Sequence, residues 1–163
     1  MSAPEVRDVT GDLLGRLLDR TEIVEGIAAY CRYADLNRPE DQVAVFAPDC
    51  RVSYGGPGRW IEGREALLGT LRRSLAAYSA TSHVLGIPEV DLAADRATAS
   101  TVVHAWHRRV DGAEDVVLYG RYVDEWVRTG EGWRIAVREF RTAGATGRSE
   151  AGLTPLGRHV SPV

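Results

Sequence analysis

Residues 97–141, ATASTVVHAWHRRVDGAEDVVLYGRYVDEWVRTGEGWRIAVREFR, decide the fold of this 163-residue chain. Apolar and polar side chains alternate along three runs in this stretch, at the period of a strand with one buried face. The predicted strands cover residues 97–110, 116–127 and 133–141. Only short, turn-rich segments separate them, whereas parallel neighbours need much longer crossovers. The three strands are therefore predicted to form an antiparallel meander.

The sequence before this meander has mainly helical spacing. A short helix is predicted at residues 12–20, and Thr21 is predicted to cap a second, longer one. Further helices are predicted at 40–46 and 64–77, and strands at 50–54 and 81–90. Helices followed by a long meander indicate the α+β class. A curved antiparallel or mixed sheet of four to six strands, wrapped around the early helices, would form a cone-shaped cup that encloses a pocket.

The overall composition excludes several classes of function. The net charge of -3 and the pI of about 5.8 disfavour nucleic-acid binding, which usually requires a basic face. No apolar run approaches the ~20 residues of a membrane span, and residues 1–12 lack an apolar signal core. We therefore expect a cytoplasmic protein without membrane contact. The length suits one domain, predicted at residues 1–143, with a weakly periodic tail at 144–163.

The sequence contains none of the common cofactor or nucleophile motifs. The run Gly55-Gly56-Pro57-Gly58 lacks the spacing of a phosphate-binding loop, and there is no GxSxG motif. Cys31 and Cys50 do not have metal-binding spacing, and Cys31 is predicted to be a buried, reduced thiol in an apolar helical stripe. We expect neither a metal nor an organic cofactor.

Two residues stand out because each is polar within an apolar pattern. Asp35 continues the helical stripe of Ile27 and Cys31, so it is either buried with a partner or solvated just beyond the helix end. His83 lies inside an apolar strand, where it is either structural or a group that exchanges protons near neutral pH. Each residue alone has a structural explanation that is at least as good as a functional one.

Three further residues are candidates for the same pocket. Tyr30 lies on the helix of Asp35, where it is either a core residue or a lining residue. His104 and His107 are three apart on one strand and therefore face opposite sides, which disfavours a zinc site. We expect His107 to face inward, because its face also carries small side chains. Arg138 is either a surface residue or an inward-facing anion-binding group.

Several segments together resemble the SnoaL-like branch of the nuclear transport factor 2-like superfamily. The resemblance covers about residues 12–142 and is carried by the following segments: Ile27-Ala28-Ala29-Tyr30-Cys31-Arg32-Tyr33-Ala34-Asp35, Phe46-Ala47-Pro48-Asp49, Ile61-Glu62-Gly63-Arg64-Glu65-Ala66, Thr81-Ser82-His83, Tyr119-Gly120-Arg121-Tyr122-Val123-Asp124 and Gly132-Trp133-Arg134-Ile135 through Arg138.

Within this superfamily the sequence most resembles the group of scytalone dehydratase, bile acid 7α-dehydratase and hexachlorocyclohexane dehydrochlorinase. The resemblance implies a dyad in which His83 is the base and Asp35 orients it. It also implies that Tyr30 and His107 bind the substrate carbonyl or protonate the leaving group, and that Arg138 assists the leaving group or holds Asp35. Asn37 and Arg38 stand where scytalone dehydratase would have a Tyr-Asp pair, so a different substrate is expected.

These expectations lead to a lyase that eliminates water from a small, largely apolar polyketide-, steroid- or terpenoid-like substrate. An isomerase or cyclase using the same dyad is the alternative among enzymes. A non-catalytic binding or assembly domain is the alternative from another class, and it predicts that Asp35 and His83 are too far apart to bond, or that side chains fill the cup. The resemblance also implies a homodimer or homotrimer formed through the outer face of the sheet.

Overall fold

The computed structural model describes residues 9–56 and 58–157. Residues 1–8, Pro57 of the predicted 55–58 loop and residues 158–163 of the predicted tail lie outside the described residues. The described residues form three helices and eight strands in this order: α1 Val9–Asp35, α2 Pro39–Ala44, β1 Phe46–Ser53, β2 Ile61–Glu62, α3 Arg64–Ala76, β3 Tyr78–Leu85, β4 Glu89–Ala93, β5 Arg96–Arg109, β6 Val116–Thr129, β7 Gly132–Thr146 and β8 Thr154–Pro155.

The first helix is continuous, so the predicted break at Thr21 is wrong. The Thr21 hydroxyl donates a hydrogen bond to the carbonyl of Leu17 at 2.9 Å, inside the helix, and therefore does not cap a new one. The predicted apolar face is confirmed, because Ile23 and Ile27 are fully buried and Cys31 is 4% exposed. The helix ends at Asp35, and Asn37 turns the chain with a positive φ of 52°.

The sheet is open and mixed, with the order β2-β1-β7-β6-β5-β3. Strands β5, β6 and β7 form the predicted antiparallel meander, and β1 runs parallel to β7. Helix α1 packs on β3 and β7, on the concave side of this sheet. The predicted α+β class, with a curved sheet around N-terminal helices, is confirmed.

The strand predicted at 81–90 consists of two strands. β3 and β4 both pair antiparallel with the same edge of β5, and residues 86–88 separate them. Pro88 has no backbone N–H to give to the ladder. Gly86 lies so close to Val102 that a Cβ would be 3.1 Å from the Val102 Cβ. The chain therefore leaves the sheet at this point and rejoins it three residues later.

Part of the segment predicted as a tail belongs to the sheet. Strand β7 continues to Thr146, and β8 returns to pair parallel with β7 through Arg141–Thr154 and Thr142–Pro155. Leu153 is buried at 9% exposure. This return brings residues near 148 to the edge of the cup. Among the described residues, no helix is both long and apolar enough to cross a membrane.

Candidate active site

Asp35 and His83 meet where the end of α1 lies against β3. The ring Nδ1 of His83 lies 2.7 Å from Oδ1 of Asp35, and the backbone N–H of His83 donates to Oδ2 at 3.0 Å. Thr81, two residues earlier on the strand, donates its hydroxyl to Oδ1 at 2.8 Å. The carboxylate at the end of α1 therefore accepts hydrogen bonds from three donors on β3.

These contacts fix the proton on the imidazole ring. A carboxylate only accepts hydrogen bonds, so Nδ1 of His83 carries a proton, and in the neutral form of the ring the lone pair lies on Nε2. The His83 side chain is 6% exposed and that of Asp35 is 28% exposed. Partial burial acts to raise the pKa of Asp35, but the hydrogen bonds from His83 and Thr81 outweigh it and lower the pKa. The carboxylate is therefore charged at neutral pH.

His83 faces a cavity of about 210 Å³ inside the cup. Apolar side chains supply much of its wall, with Ala34 from α1, Leu71 and Leu75 from α3, and Phe140 from β7. Asp35 lies behind His83, outside the lining. The imidazole of His83 thus lies in a largely apolar cavity, with a carboxylate behind its Nδ1.

His107 lies in the same cavity beside His83, whereas His104 does not. The rings of His83 and His107 are 5.6 Å apart edge to face, and Tyr78 contacts His107 at 4.6 Å. His104 is on the exposed face of β5 against Tyr119, at 5.0 Å. The expectation that His107 faces the pocket therefore agrees with its position.

The environment of His107 keeps it neutral. Burial, with a smaller contribution from the neighbouring His83, lowers the pKa of His107 to about 4. At neutral pH this side chain can donate or accept a hydrogen bond, but it does not carry a positive charge. His107 is therefore poorly suited to act as a positively charged general acid.

Tyr30 forms a hydroxyl pair with Tyr54 at the cavity wall. The two oxygens are 2.7 Å apart, and both residues line the cavity. Burial raises the pKa of Tyr30, although Arg138 and the hydrogen bond with Tyr54 act in the opposite direction. Burial likewise raises the pKa of Tyr54 well above its usual value. Both phenols stay protonated. One hydroxyl donates to the other, so the pair has one O–H left to donate to a ligand oxygen.

Arg138 faces inward and binds a carboxylate, which excludes the surface alternative, but this carboxylate is not that of Asp35. Its guanidinium makes two hydrogen bonds of 2.7 Å with the carboxylate of Asp124, and both side chains are 0% exposed. The expectation that Arg138 holds Asp35 is therefore wrong, because Asp124 takes that place. The Arg138 Cζ lies 4.4 Å from the ring centroid of Tyr30 and 4.2 Å from that of Tyr122. Arg138 is not part of the cavity lining, so its direct contribution is to support the tyrosine rings.

Sequence patterns missed four members of this site. Tyr54 follows a strand beside a glycine-rich loop, and its role depends on a partner 24 residues away. Thr81 is an ordinary strand residue whose partner is 46 residues away. Asp124 lies on a strand with ordinary alternation, and nothing in its local sequence indicates that it is fully buried. Gln42 lies on a short helix and is 2% exposed, which its polar sequence context does not suggest.

Within residues 9–56 and 58–157, no group of three or more His, Cys, Asp or Glu side chains is arranged to hold a metal ion. Cys31 and Cys50 are both buried free thiols, as predicted for Cys31. Burial raises the pKa of Cys31 to about 12, which keeps this thiol protonated and unreactive.

A comparison with protein families matches residues 15–139 to the SnoaL-like domain. The chain therefore belongs to the SnoaL-like family, within the nuclear transport factor 2-like superfamily. The predicted family is confirmed. An uncharacterized protein of Mycobacterium tuberculosis is 29% identical over 127 residues, which are 77% of this chain and 86% of that protein.

Solved structures extend this relationship. A Novosphingobium aromaticivorans protein, provisionally named a scytalone dehydratase, is 32% identical with a TM-score of 0.82, covering 89% of this chain and 97% of that one. A hexachlorocyclohexane dehydrochlorinase is 19% identical with a TM-score of 0.75, covering 89% of this chain and 99% of that one. The second likeness is one of fold alone.

Proposed function

We propose that this protein is a cofactor-independent lyase that eliminates water from a small, largely apolar substrate through general-base catalysis by His83. The observation that carries the proposal is the 2.7 Å contact between Nδ1 of His83 and Oδ1 of Asp35 beside an apolar cavity. A carboxylate on Nδ1 makes the other ring nitrogen more basic and stabilises the imidazolium that forms. The structural likeness to a protein provisionally named a scytalone dehydratase supports the reaction class.

The chemistry follows from a β-hydroxy ketone in this cavity. Nε2 of His83 removes a proton from the carbon next to the carbonyl, and the electron pair of that C–H bond forms the new double bond. The bond from the next carbon to its hydroxyl then breaks. The imidazolium returns its proton to the departing hydroxide, so the net change is the loss of one water. Positioned groups of this kind contribute about 10²–10⁴-fold to the rate.

Tyr30 and Tyr54 supply the second requirement of such a reaction. The carbonyl oxygen gains negative charge as the proton leaves, and the free O–H of the phenol pair stabilises that charge. Burial keeps both phenols protonated at neutral pH. His107, whose ring lies beside that of His83, holds the leaving hydroxyl as a neutral donor in this proposal. Arg138 and Asp124 act indirectly, by fixing the rings of Tyr30 and Tyr122.

An isomerase or cyclase that uses the same dyad is the second candidate. Its support is the same geometry, because proton removal next to a carbonyl is common to all three reactions. The non-catalytic alternative predicted a dyad too distant to bond or a filled cup. The 2.7 Å contact and the open cavity differ from both outcomes.

The test is an assay on scytalone and related bicyclic β-hydroxy ketones, followed by mass spectrometry of the products. Loss of one water from any of them supports a lyase, and a product of unchanged mass indicates isomerisation or cyclisation. His83→Ala and Asp35→Asn are expected to lower turnover by about 10²-fold or more. Near-wild-type turnover in either variant would refute the proposed role of the dyad.

A further inference from the structure

Arg148 is a charged residue of the cavity wall that the proposed reaction does not use. It lies in the connection between β7 and β8. Within residues 9–56 and 58–157, Arg148 is the only lining residue with a permanent charge. No aspartate or glutamate of the described chain lines the cavity, so no acid in the wall offsets that charge.

The guanidinium stands at the opening of the cavity. Of the described lining residues, only Arg148 and Ser74 are exposed, whereas Tyr30, Leu71 and Phe140 are buried. Ser74 lies near the end of α3, so the opening lies between that helix and the connection that carries Arg148. A ligand that fills the apolar interior therefore leaves its outer end beside the guanidinium.

The backbone on both sides of Arg148 is held by specific contacts, so its place at the opening does not depend on a ligand. Gly147 has a φ of 70°, and a Cβ there would overlap the carbonyl oxygen of Asp115, so only glycine fits. On the other side, the backbone N–H of Ala145 donates to Oε1 of Glu150 at 2.9 Å. The connection is thus fastened to the β5–β6 hairpin and to the end of β7.

The guanidinium of Arg148 has no ion-pair or hydrogen-bond partner in the part of the chain that the structure describes. The two acids in its surroundings bind other groups. Asp115 accepts a hydrogen bond from Nε1 of Trp106 at 3.1 Å, and Glu150 accepts the backbone N–H of Ala145. The donors of Arg148 are therefore available to an anion that arrives from solution.

An exposed arginine without a partner is not sufficient evidence for a binding site, and Arg96 shows why. Arg96 is exposed, and its side chain also has no partner among the described residues. It does not line the cavity. Arg148 differs because its charge stands at the opening of a largely apolar pocket, where a ligand with an apolar body and an anionic end contacts both.

We propose that Arg148 binds a carboxylate of the substrate at the opening of the cavity, while the apolar part of the substrate reaches His83. A guanidinium offers two parallel N–H donors that match the two oxygens of a carboxylate. One guanidinium also balances the single charge of a carboxylate, whereas a phosphate ester carries up to two charges at neutral pH. The substrate class is therefore an apolar carboxylic acid, held by its charged end and deprotonated at a carbon deeper in the cavity. This assignment rests on the proposed function.

The experiment measures binding of 3-phenylpropanoate, 4-phenylbutanoate and 5-phenylpentanoate, and of the matching neutral amides, by calorimetry at low ionic strength. The three chain lengths allow for different distances between the ring and the opening. None of these compounds carries a hydroxyl that could leave, so binding is measured without turnover. A pH of about 9 keeps imidazoles uncharged, so that a bound anion reports on the guanidinium. The variants are Arg148→Gln and, as a matched control, Arg96→Gln, the same change at an exposed arginine outside the cavity.

We expect at least one acid to bind the wild-type protein about three- to fivefold more tightly than its amide, as an accessible ion pair predicts. Arg148→Gln should lose this preference and Arg96→Gln should keep it, and high salt should weaken it in the wild-type protein. Without ligand, Arg148→Gln should unfold at the same temperature as the wild type, because the arginine has no partner to lose.

Three results would contradict the proposal. They are a preference for the acid that survives in Arg148→Gln, a wild-type protein that binds no acid better than its amide, and a clear loss of thermal stability in Arg148→Gln, which would give the arginine a structural role. None of them affects the dyad, because His83 and Asp35 are tested by turnover.

Discussion

His83 holds Asp35 twice, through the ring Nδ1 to Oδ1 at 2.7 Å and through its backbone N–H to Oδ2 at 3.0 Å. Because one donor belongs to the backbone of β3, the plane of the carboxylate is fixed relative to the strand as well as to the ring. The imidazole can therefore not rotate away without breaking its bond to a carboxylate that the strand holds in place. The dyad is set before any ligand binds, which is what efficient proton transfer requires.

Thr81 provides the first test of this arrangement, since its hydroxyl is the third donor to Asp35. Thr81→Val removes a hydrogen bond that favours the charged carboxylate, so the pKa of Asp35 should rise. The loss of one such bond should also cost about 1–2 kcal/mol of stability. Carbon-13 NMR of the aspartate carboxyls measures the pKa. Thr98→Val, on the exposed face of β5, is the control and should change neither quantity. An unchanged Asp35 pKa in Thr81→Val would show that the Thr81 bond is unimportant.

The buried ion pair of Arg138 and Asp124 should dominate the stability of the cup wall. Asp124→Asn leaves an unpaired, fully buried guanidinium and should destabilise the protein by about 3–5 kcal/mol. Arg109→Met, which breaks the solvent-exposed pair with Asp111, should change the stability little. Denaturant unfolding measures both. Equal losses in the two variants would contradict the structural role given to Arg138.

The lowered pKa of His107 predicts a specific acid sensitivity. The unfolded chain binds a proton at His107 near pH 6.5, whereas the folded protein binds it only near pH 4. Stability should therefore fall as the pH decreases from 6.5 to 4, with a slope from this residue of at most about 1.4 kcal/mol per pH unit. His107→Gln should make the dependence shallower in this window. His104→Gln, at the exposed histidine of the same strand, is the control, and a profile unchanged by His107→Gln would contradict the assignment.

The outer face of the sheet is the expected contact between copies of the chain. Val84, His104 and Tyr119 form a row across β3, β5 and β6, and Val84 is 63% exposed. Without charged members, this row suits a self-complementary contact in a homodimer or homotrimer. Sedimentation should find an oligomer that Val84→Glu weakens. Val110→Glu, at the equally exposed Val110 beyond the end of β5, should leave it intact. A monomeric wild-type protein would contradict the expectation.

The sequence predicted the parts of the molecule that local spacing controls. The meander, its hairpins and the buried face of α1 were predictable because apolar side chains recur every 2 residues along a strand and every 3.6 along a helix. This spacing can be read within each element, without its neighbours. The break before Thr21 was wrong because a capping residue type also fits inside a helix through a bond to Leu17. The sheet after residue 143 was missed because β8 has only two residues and depends on its partner strand.

The site was predictable to the extent that a single residue departs from the pattern around it. Asp35 and His83 each break an apolar pattern, so they could be found, and the family resemblance joined them. Tyr54 and Gln42 break no pattern, and only the folded arrangement brings them to the cavity. The partner of Arg138 could not be identified from sequence, because the local pattern does not mark Asp124 as buried. Only the folded structure identifies this partner, because Asp124 is 1% exposed and lies opposite Arg138 on the adjacent strand.

The central claim is that His83, oriented by Asp35, removes a proton from carbon. The most direct measurement is the exchange of deuterium from D₂O into the carbon next to the carbonyl of 2-tetralone, followed by NMR, because it needs no knowledge of the natural substrate. We predict that the wild-type protein accelerates this exchange above buffer, and that Thr101→Val, at a buried residue outside the cavity lining, does so equally. His83→Ala and Asp35→Asn should each lose about 10²-fold or more of the acceleration. Exchange at the wild-type rate in either variant, or no acceleration by the wild-type protein, would contradict the claim.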